Sequence, residues 1–364
     1  MTAGFYSPLP PAPTGVADYS AALLDALKRR GQVKVNAPSG VALYHLGNNL
    51  LHREIYEQAL RRPGAIVLHD AVLNHFFLGT LDRTGYQEEF VFNYGEWMRA
   101  FSDDLWKHRA RSAANPDYFE YPMLKRIAEC AKAIIVHNPA AARMAKRHSP
   151  QALVVEIPHL FVPPYLPEWI EIARFRASLG ISPRTLLVGV FGHLRESKRL
   201  AVIRRAFEKA ISAGADARLL IAGRFGSSDL ERAMEEKLAD NRILRVGPTA
   251  ENEFWRWAAA TDLCLNLRFP TAGESSGIAI RMMGIGKPVI FTESEEIARI
   301  PENACLRVAP GAAEEETLAA YLVWLAHDRS SAAAIGERAA AYIRSEHDLD
   351  RAAERYWDVL LKIR

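Results

Sequence analysis

Short apolar runs alternate with helical patterns along the whole chain, in two series separated by a proline-rich stretch, and this alternation leaves few folds open. The first series predicts strands at residues 33–36, 41–45, 65–69, 133–137 and 153–157, with helices at 20–29, 51–60 and 86–106. Across residues 158–167 four prolines fall in ten positions, which denies regular pairing and marks a linker. The second series predicts strands at 186–191, 218–222, 243–246, 263–267 and 289–291, with a helix at 200–211. Strands separated by helices build parallel sheets, and 364 residues exceed one typical core. The expected architecture is α/β, with two doubly wound domains facing a cleft, over residues 1–165 and 166–345. The remaining segment, 346–364, holds a helix over 352–363 with Ala353, Tyr356, Trp357, Leu360 and Leu361 on one face, so it must pack on something.

Composition narrows the setting. Cys130, Cys264 and Cys305 lie far apart without CxxC spacing, which suits a reducing compartment. Residues 1–13 lack a basic region followed by an apolar one, and no run approaches the ~18 apolar residues of a membrane span. A soluble, cytoplasmic chain is expected. The formal net charge of +3 suits ordinary surface chemistry, or attraction to phosphates and an anionic membrane face. No Ser-His-Asp signature, P-loop or GxGxxG after a strand is present, so hydrolase, kinase and nicotinamide chemistries lack their residues. His69, Asp70 and His75 match no zinc spacing, and Asp348-Leu349-Asp350 precedes the final helix as an N-cap region, so no metal site is expected.

The most informative stretch runs from Asp262 to Phe291 as strand, polar loop, helix, strand. Gly273-Glu274-Ser275-Ser276-Gly277 opens the helix, and backbone N–H groups with a positive dipole end suit a phosphate. Glu274 beside it could accept hydrogen bonds from sugar hydroxyls. This segment resembles the donor-sugar loop of the retaining, GT-B glycosyltransferases of the glycogen-synthase-like family 4, whose pattern is Glu, seven residues, Glu, then Gly-Lys-Pro-Val-Ile. Glu274 matches the first glutamate and Gly286-Lys287-Pro288-Val289-Ile290 the ending. The second glutamate, which in the family holds the nucleotide ribose, is missing: its place is Met282 counted forward and Arg281 counted back.

Further matches to the family follow in order. Ser7 to Ser20 is a proline-stiffened loop in which Gly15 would let the backbone approach a diphosphate; the plain alternative is a capped turn. Residues 65–70 end a strand in His69 and Asp70, where open α/β sheets present ligand groups. The resemblance implies a hydrogen bond from His69 to a donor-sugar hydroxyl; a general base or a satisfied strand-end histidine are the alternatives. In residues 188–198, Gly192 ends a strand, and the family's diphosphate-gripping arginine and lysine correspond to His193 and Lys198, so Arg195 or Arg199 would stand in for the arginine. Gly223-Arg224 and Gly247 end two more strands, and the second turn packs the base in the family.

The resemblance implies two Rossmann-like domains, acceptor-binding then donor-binding, with the terminal helix crossing back to the first. The implied reaction is metal-independent transfer of a sugar, of hexosyltransferase type, from a nucleoside-diphosphate sugar to a hydroxyl acceptor with retention of configuration, as in polysaccharide biosynthesis. Expected catalytic residues are His69 and Glu274; expected donor-binding residues are Gly15, Asp70, Gly192, Arg195, Lys198, Gly247, Ser275, Ser276, Gly277, Ile278 and Arg281. No cofactor is implied beyond the donor. The expected partners are the donor and a sugar-containing or lipid-linked acceptor, not nucleic acid, with contact to the inner membrane face left open. The aromatic and basic residues Phe76, Trp97, Arg99, Phe101, Trp106, Lys107, Arg109 and Arg111 could line an acceptor groove, rest on lipid headgroups, or form a buried helical excursion. Two other function classes stay open: a non-catalytic sugar-nucleotide binder and a sugar-nucleotide epimerase.

Overall fold

The computed structural model describes residues 1–364. Six strands form the first sheet: β1 (Thr2–Tyr6), β2 (Gln32–Val35), β3 (Val41–Leu46), β4 (Ala65–Leu68), β5 (Ala133–Val136) and β6 (Val154–Glu156). Their order is β2-β1-β3-β4-β5-β6, with every pairing parallel. The second sheet holds β7 (Leu186–Phe191), β8 (Ala217–Ala222), β9 (Ile243–Val246), β10 (Leu263–Asn266), β11 (Val289–Thr292) and β12 (Leu306–Val308), ordered β12-β11-β10-β7-β8-β9 and again all parallel.

Both faces of both sheets are covered by helices, so the central strands are apolar on each face. In β3, Leu43 enters one core cluster with Phe5 and Leu23, and the next residue, Tyr44, enters the other with Ile66 and Ile134. Each sheet reverses its strand order once, between β1 and β3 in the first and between β7 and β10 in the second. Connections diverge at such a point and leave a crevice beyond the strand carboxyl ends.

The helix Leu349–Lys362 buries Ala352, Ala353, Tyr356, Val359 and Leu360 against the first sheet, although residues 186–343 supply the second. Its Tyr356 hydroxyl lies 2.8 Å from that of Tyr19 on the helix Gly15–Lys28. The buried stripe differs from the sequence expectation at one position. Val359 occupies it while Leu361 is 48% exposed, because the 100° turn per residue carries position 361 off the face. Asp348 caps this helix, accepting from the Arg351 N–H at 2.8 Å.

Three expectations change in detail. β1 and β12 carry no strand prediction; each is a short run at the start of the chain or the edge of the second sheet. The helix expected over 86–106 is two, Arg83–Tyr94 and Arg99–His108, because Gly95 adopts φ +96°, a conformation that breaks the helix and that glycine tolerates. In the aromatic region Phe76 is buried and Phe101 and Trp106 pack against the core, whereas Trp97 stands in solvent.

Candidate active site

The carboxyl ends of the two sheets face each other across a cavity of ≈ 250 Å³. The first domain supplies Gly15, Tyr19, His69, Asp70, His137 and His159, and the second Gly192, Arg195, Lys198, Arg268, Glu274, Ser275, Gly277 and Ile278. A second cavity of ≈ 300 Å³ continues from it past Tyr19, His159, Arg268 and Gly277 to Asp18, Glu251, Trp255 and Arg281.

Each side chain is set by its element. The turn after β7 holds Gly192 at φ +92°, and the turn after β8 packs directly on it: a Cβ on Gly223 would fall 1.9 Å from the Gly192 carbonyl oxygen. Only glycine permits that approach. Past the turn, Lys198 is buried and donates to the Phe191 carbonyl at 2.9 Å. Burial, with the Arg268 guanidinium adding, pushes its amine down to about 7. Arg195 is exposed on the cavity wall. Arg199, in a left-handed turn at φ +59°, points away and pairs with the buried Glu314. The two cations left open by the sequence are thereby separated: Arg195 faces the cleft and Arg199 braces the domain.

Glu274 is tied down by its own loop. One carboxylate oxygen accepts from Arg268, and the other accepts from the Ala272 N–H at 2.8 Å and the Thr271 hydroxyl at 3.2 Å. Although burial acts to raise its pKa, Arg268 and these hydrogen bonds prevail and hold the carboxyl below the ordinary carboxylate value. Opposite it, Asp70 accepts from the Asn48 N–H at 2.7 Å, and burial together with the Glu274 charge pushes it up to about 6. The loop is bolted to the first domain: the Ala71 and Val72 N–H groups donate to the Ala272 carbonyl at 2.8 and 3.0 Å, and Asn138 donates to the Gly273 carbonyl at 3.0 Å and the Ser275 hydroxyl at 3.1 Å.

The helix Gly277–Gly284 directs its amino end at the cavity, with Ser276 as N-cap accepting from the Ala279 N–H at 3.3 Å. The hydroxyl of Ser276 is therefore engaged in capping, and Ser276 lines the second cavity rather than the first. Arg281 lies on the wall of the second cavity, paired with Glu251 at 3.4 Å and set over the Phe254 and Trp255 rings, while Met282 is fully buried. Gly247 lines neither cavity. It sits beyond β9 at the far side of the second sheet, two strands from the switch point.

Sequence reasoning missed four contributors. Arg268 lies two residues past β10, one of the two strands that flank the switch point, so its position was the available signal. Tyr19, His137 and His159 carried none, because only the fold gathers them: Tyr19 packs against His69, His137 and His159 at ring-centroid distances of 4.9, 5.3 and 4.7 Å. His69, Asp70 and His75 do not converge, and no group of three His, Cys, Asp or Glu side chains is arranged to hold a metal ion. A smaller cavity of ≈ 80 Å³ behind Glu274, reaching His347 and Tyr342, lies on the side of the loop away from Lys198 and Gly192. No helix is long and apolar enough to cross a membrane.

Residues 183–328 match the model of the family Glycosyl transferases group 1. No curated protein matches the chain. Among solved structures, Alr3699/HepE of Anabaena superposes with a TM-score of 0.69 at 16% identity, covering 100% of both chains. The sucrose-phosphate synthase of Thermosynechococcus elongatus gives 0.67 at 16% identity over 100% of this chain and 99% of that one. WaaG, a glycosyltransferase involved in lipopolysaccharide biosynthesis, gives 0.61 at 16% identity over 99% of each. The fold is that of the GT-B glycosyltransferases.

Proposed function

We propose that this chain is a metal-independent, retaining glycosyltransferase that moves a sugar from a nucleoside-diphosphate sugar to a hydroxyl acceptor. The observation that carries the reading is the convergence at the double switch point. Ten of the thirteen residues expected to serve the donor line one cavity between the sheets. The matched family model covers the half that would hold the donor, and HepE is a structural neighbour solved with UDP-glucose, so a UDP-sugar is the first donor to test.

In this reading Gly15 and Gly192 allow the backbone close to the diphosphate, with Arg195, Lys198 and the amino end of the helix Gly277–Gly284 facing it. Negative charge grows on the departing phosphate as the glycosidic bond breaks, and preorganised donors in a water-poor site stabilise it. Ser275 and Glu274 sit where the sugar would lie, and His69 offers a hydrogen bond to a sugar hydroxyl. The acceptor hydroxyl attacks from the face the phosphate leaves, and a phosphate oxygen takes its proton. The protein supplies orientation and exclusion of water.

The test is thermal stabilisation by UDP, GDP, ADP, TDP and CMP and their sugars. A ligand at ~100-fold its Kd should stabilise by about 2.7 kcal/mol. Release of nucleotide from the stabilising donor, lost in Glu274→Ala, supports the transferase; full turnover in that variant removes its main support.

One observation favours a second reading, sugar-nucleotide epimerisation: Asp70 and Glu274 are neighbouring carboxyls pushed in opposite directions, as acid–base pairs are. The salt bridge from Arg268 leaves Glu274 poorly placed to take a proton, so this reading stands second. It predicts an altered free sugar nucleotide with no acceptor present.

A further inference from the structure

Asn138 lies two residues past β5 and is 2% exposed, a buried amide with three partners in two domains. Its own place is set locally. Pro139 after it confines it to extended backbone, found at φ −157° and ψ 164°. Pro139 also opens the helix Pro139–His148, which Asn138 caps, its Oδ1 accepting from the Ala141 N–H at 2.9 Å.

That cap fixes which way the amide faces. With Oδ1 on the Ala141 N–H, Nδ2 is left to the second domain, where it donates to the Gly273 carbonyl at 3.0 Å and to the Ser275 hydroxyl at 3.1 Å. A flipped amide would set N–H against N–H and oxygen against a carbonyl. Asn138 thus holds the residue on either side of Glu274, and does so from the domain that does not carry the loop. The approach is close: Gly273 has φ +72°, and a Cβ there would fall 2.8 Å from that of Ala71. Glycine alone suits both the conformation and the space.

The contact also sets the polarity of Ser275. Its oxygen accepts from Asn138, its own proton meets no acceptor in the protein, and its side chain lines the cavity between the sheets. A hydroxyl that accepts from behind has its proton left to give. Asn138 itself lines the small cavity behind the loop and not the one between the sheets, so it acts on a ligand through Ser275.

We propose that Asn138 is a positioning residue: it anchors the loop 273–275 across the two domains and sets the Ser275 hydroxyl to donate to an oxygen of the donor's sugar. The sugar contact rests on the transferase reading above; the anchoring does not.

Asn138→Asp tests this with the shape kept. An aspartate still caps the helix, but its second oxygen faces the Gly273 carbonyl and takes the Ser275 proton, so both contacts to the loop reverse in sign. In the ligand-free full chain, hydrogen exchange at the Ala71 and Val72 amides, which bond to Ala272, should quicken roughly tenfold or more, while the helix Leu200–Ser212 keeps its rates and shows that the fold is intact. Calorimetry then compares UDP-glucose with UDP, or the corresponding pair for whichever nucleotide stabilises the chain. Asn138→Asp and Ser275→Ala should each weaken the sugar nucleotide about tenfold and leave the bare nucleoside diphosphate within about twofold. The double variant should lose no more than Asn138→Asp alone, because both changes act through one hydroxyl.

Unchanged exchange at Ala71 and Val72 overturns the anchoring whether or not any nucleotide binds. Equal losses for the sugar nucleotide and the bare nucleotide, or additive losses in the double variant, overturn the sugar contact. Faster exchange in a chain that no sugar nucleotide stabilises keeps the anchor and sinks the transferase reading, together with the sugar contact that rests on it.

Discussion

The Nδ1 of His45 lies 2.9 Å from the Nε2 of His69, and the two rings stack with an interplanar angle of 21°. One nitrogen of the cleft histidine is thereby occupied from behind. Burial, then the neighbouring His137, His45 and His159, hold His69 well below the ordinary imidazole value near ~6.5. Two buried rings in contact hold His69 in a fixed orientation at the cleft and lower its basicity.

It follows that kcat/KM measured from about pH 5 to 8 should show no limb belonging to His69. His69→Ala should lower kcat by about 10- to 100-fold, the loss of one transition-state hydrogen bond. A limb near pH 6.5 that vanishes in His69→Gln would make it a general base instead.

Lys198 is placed to report donor binding through protons. Its amine, at about 7 in the free protein, lies far below the ~10.4 of an exposed lysine, and a diphosphate beside it favours the charged form. At about pH 8, binding should take up close to one proton. Calorimetry in two buffers of different ionisation enthalpy reads this directly, and Lys198→Met should abolish the difference. In the free protein the sign is opposite: a lowered amine pKa penalises folding at and below pH ~7, and the penalty fades as pH rises toward ~10. Lys198→Met should therefore raise the melting midpoint at neutral pH while weakening donor binding.

The two neighbouring arginines should separate cleanly. Arg195→Ala should weaken nucleoside-diphosphate binding about 10- to 100-fold, the loss of a charge-assisted hydrogen bond, with little change in melting. Arg199→Ala leaves Glu314, 1% exposed, without its partner, and breaking such a pair costs about 3–5 kcal/mol. Titration of each variant with the stabilising nucleotide, followed by urea unfolding, checks both. Equal losses of affinity would mean that Arg199 also reaches the ligand.

Asp70 should show a stability effect that depends on pH. Its carboxyl at about 6 lies above the unfolded value, so the folded state binds the extra proton between pH ~4 and ~6 and loses stability as pH rises through that window. Asp70→Asn should keep the hydrogen bond from Asn48 and stabilise by about 1–2 kcal/mol at pH 7, an advantage that disappears near pH 4. Melting curves at both pH values test it; equal gains at the two would remove the charge as the cause.

Much of this molecule is legible in the sequence, for identifiable reasons. β7 and β9 fall on their predicted residues because buried parallel strands are unbroken apolar runs bounded by turns. β1 was not read because Thr2–Tyr6 is a five-residue run interrupted by a glycine. The single long helix failed at Gly95, a glycine that the surrounding apolar pattern concealed. Within the site, side chains adjacent to a motif were found, and those that converge only through tertiary structure were not. Tyr19, His137 and His159 lie on different elements, and no local spacing links them. Gly247, expected to pack the base, directly follows β9 and lines neither cavity.

The closing helix imposes an order on how the molecule can be made. Tyr356 meets Tyr19 across 337 positions of sequence, and Ala353 and Leu360 complete the core that Phe5 and Leu43 begin. Until residues 349–362 are added, one face of the first sheet is covered only in part, by the helix Gly15–Lys28, even though every strand of that sheet has long since emerged. Contacts so distant in sequence form late. The first sheet is thus finished by residues made after the whole of the second sheet, and a chain cut before Leu349 leaves its core incomplete.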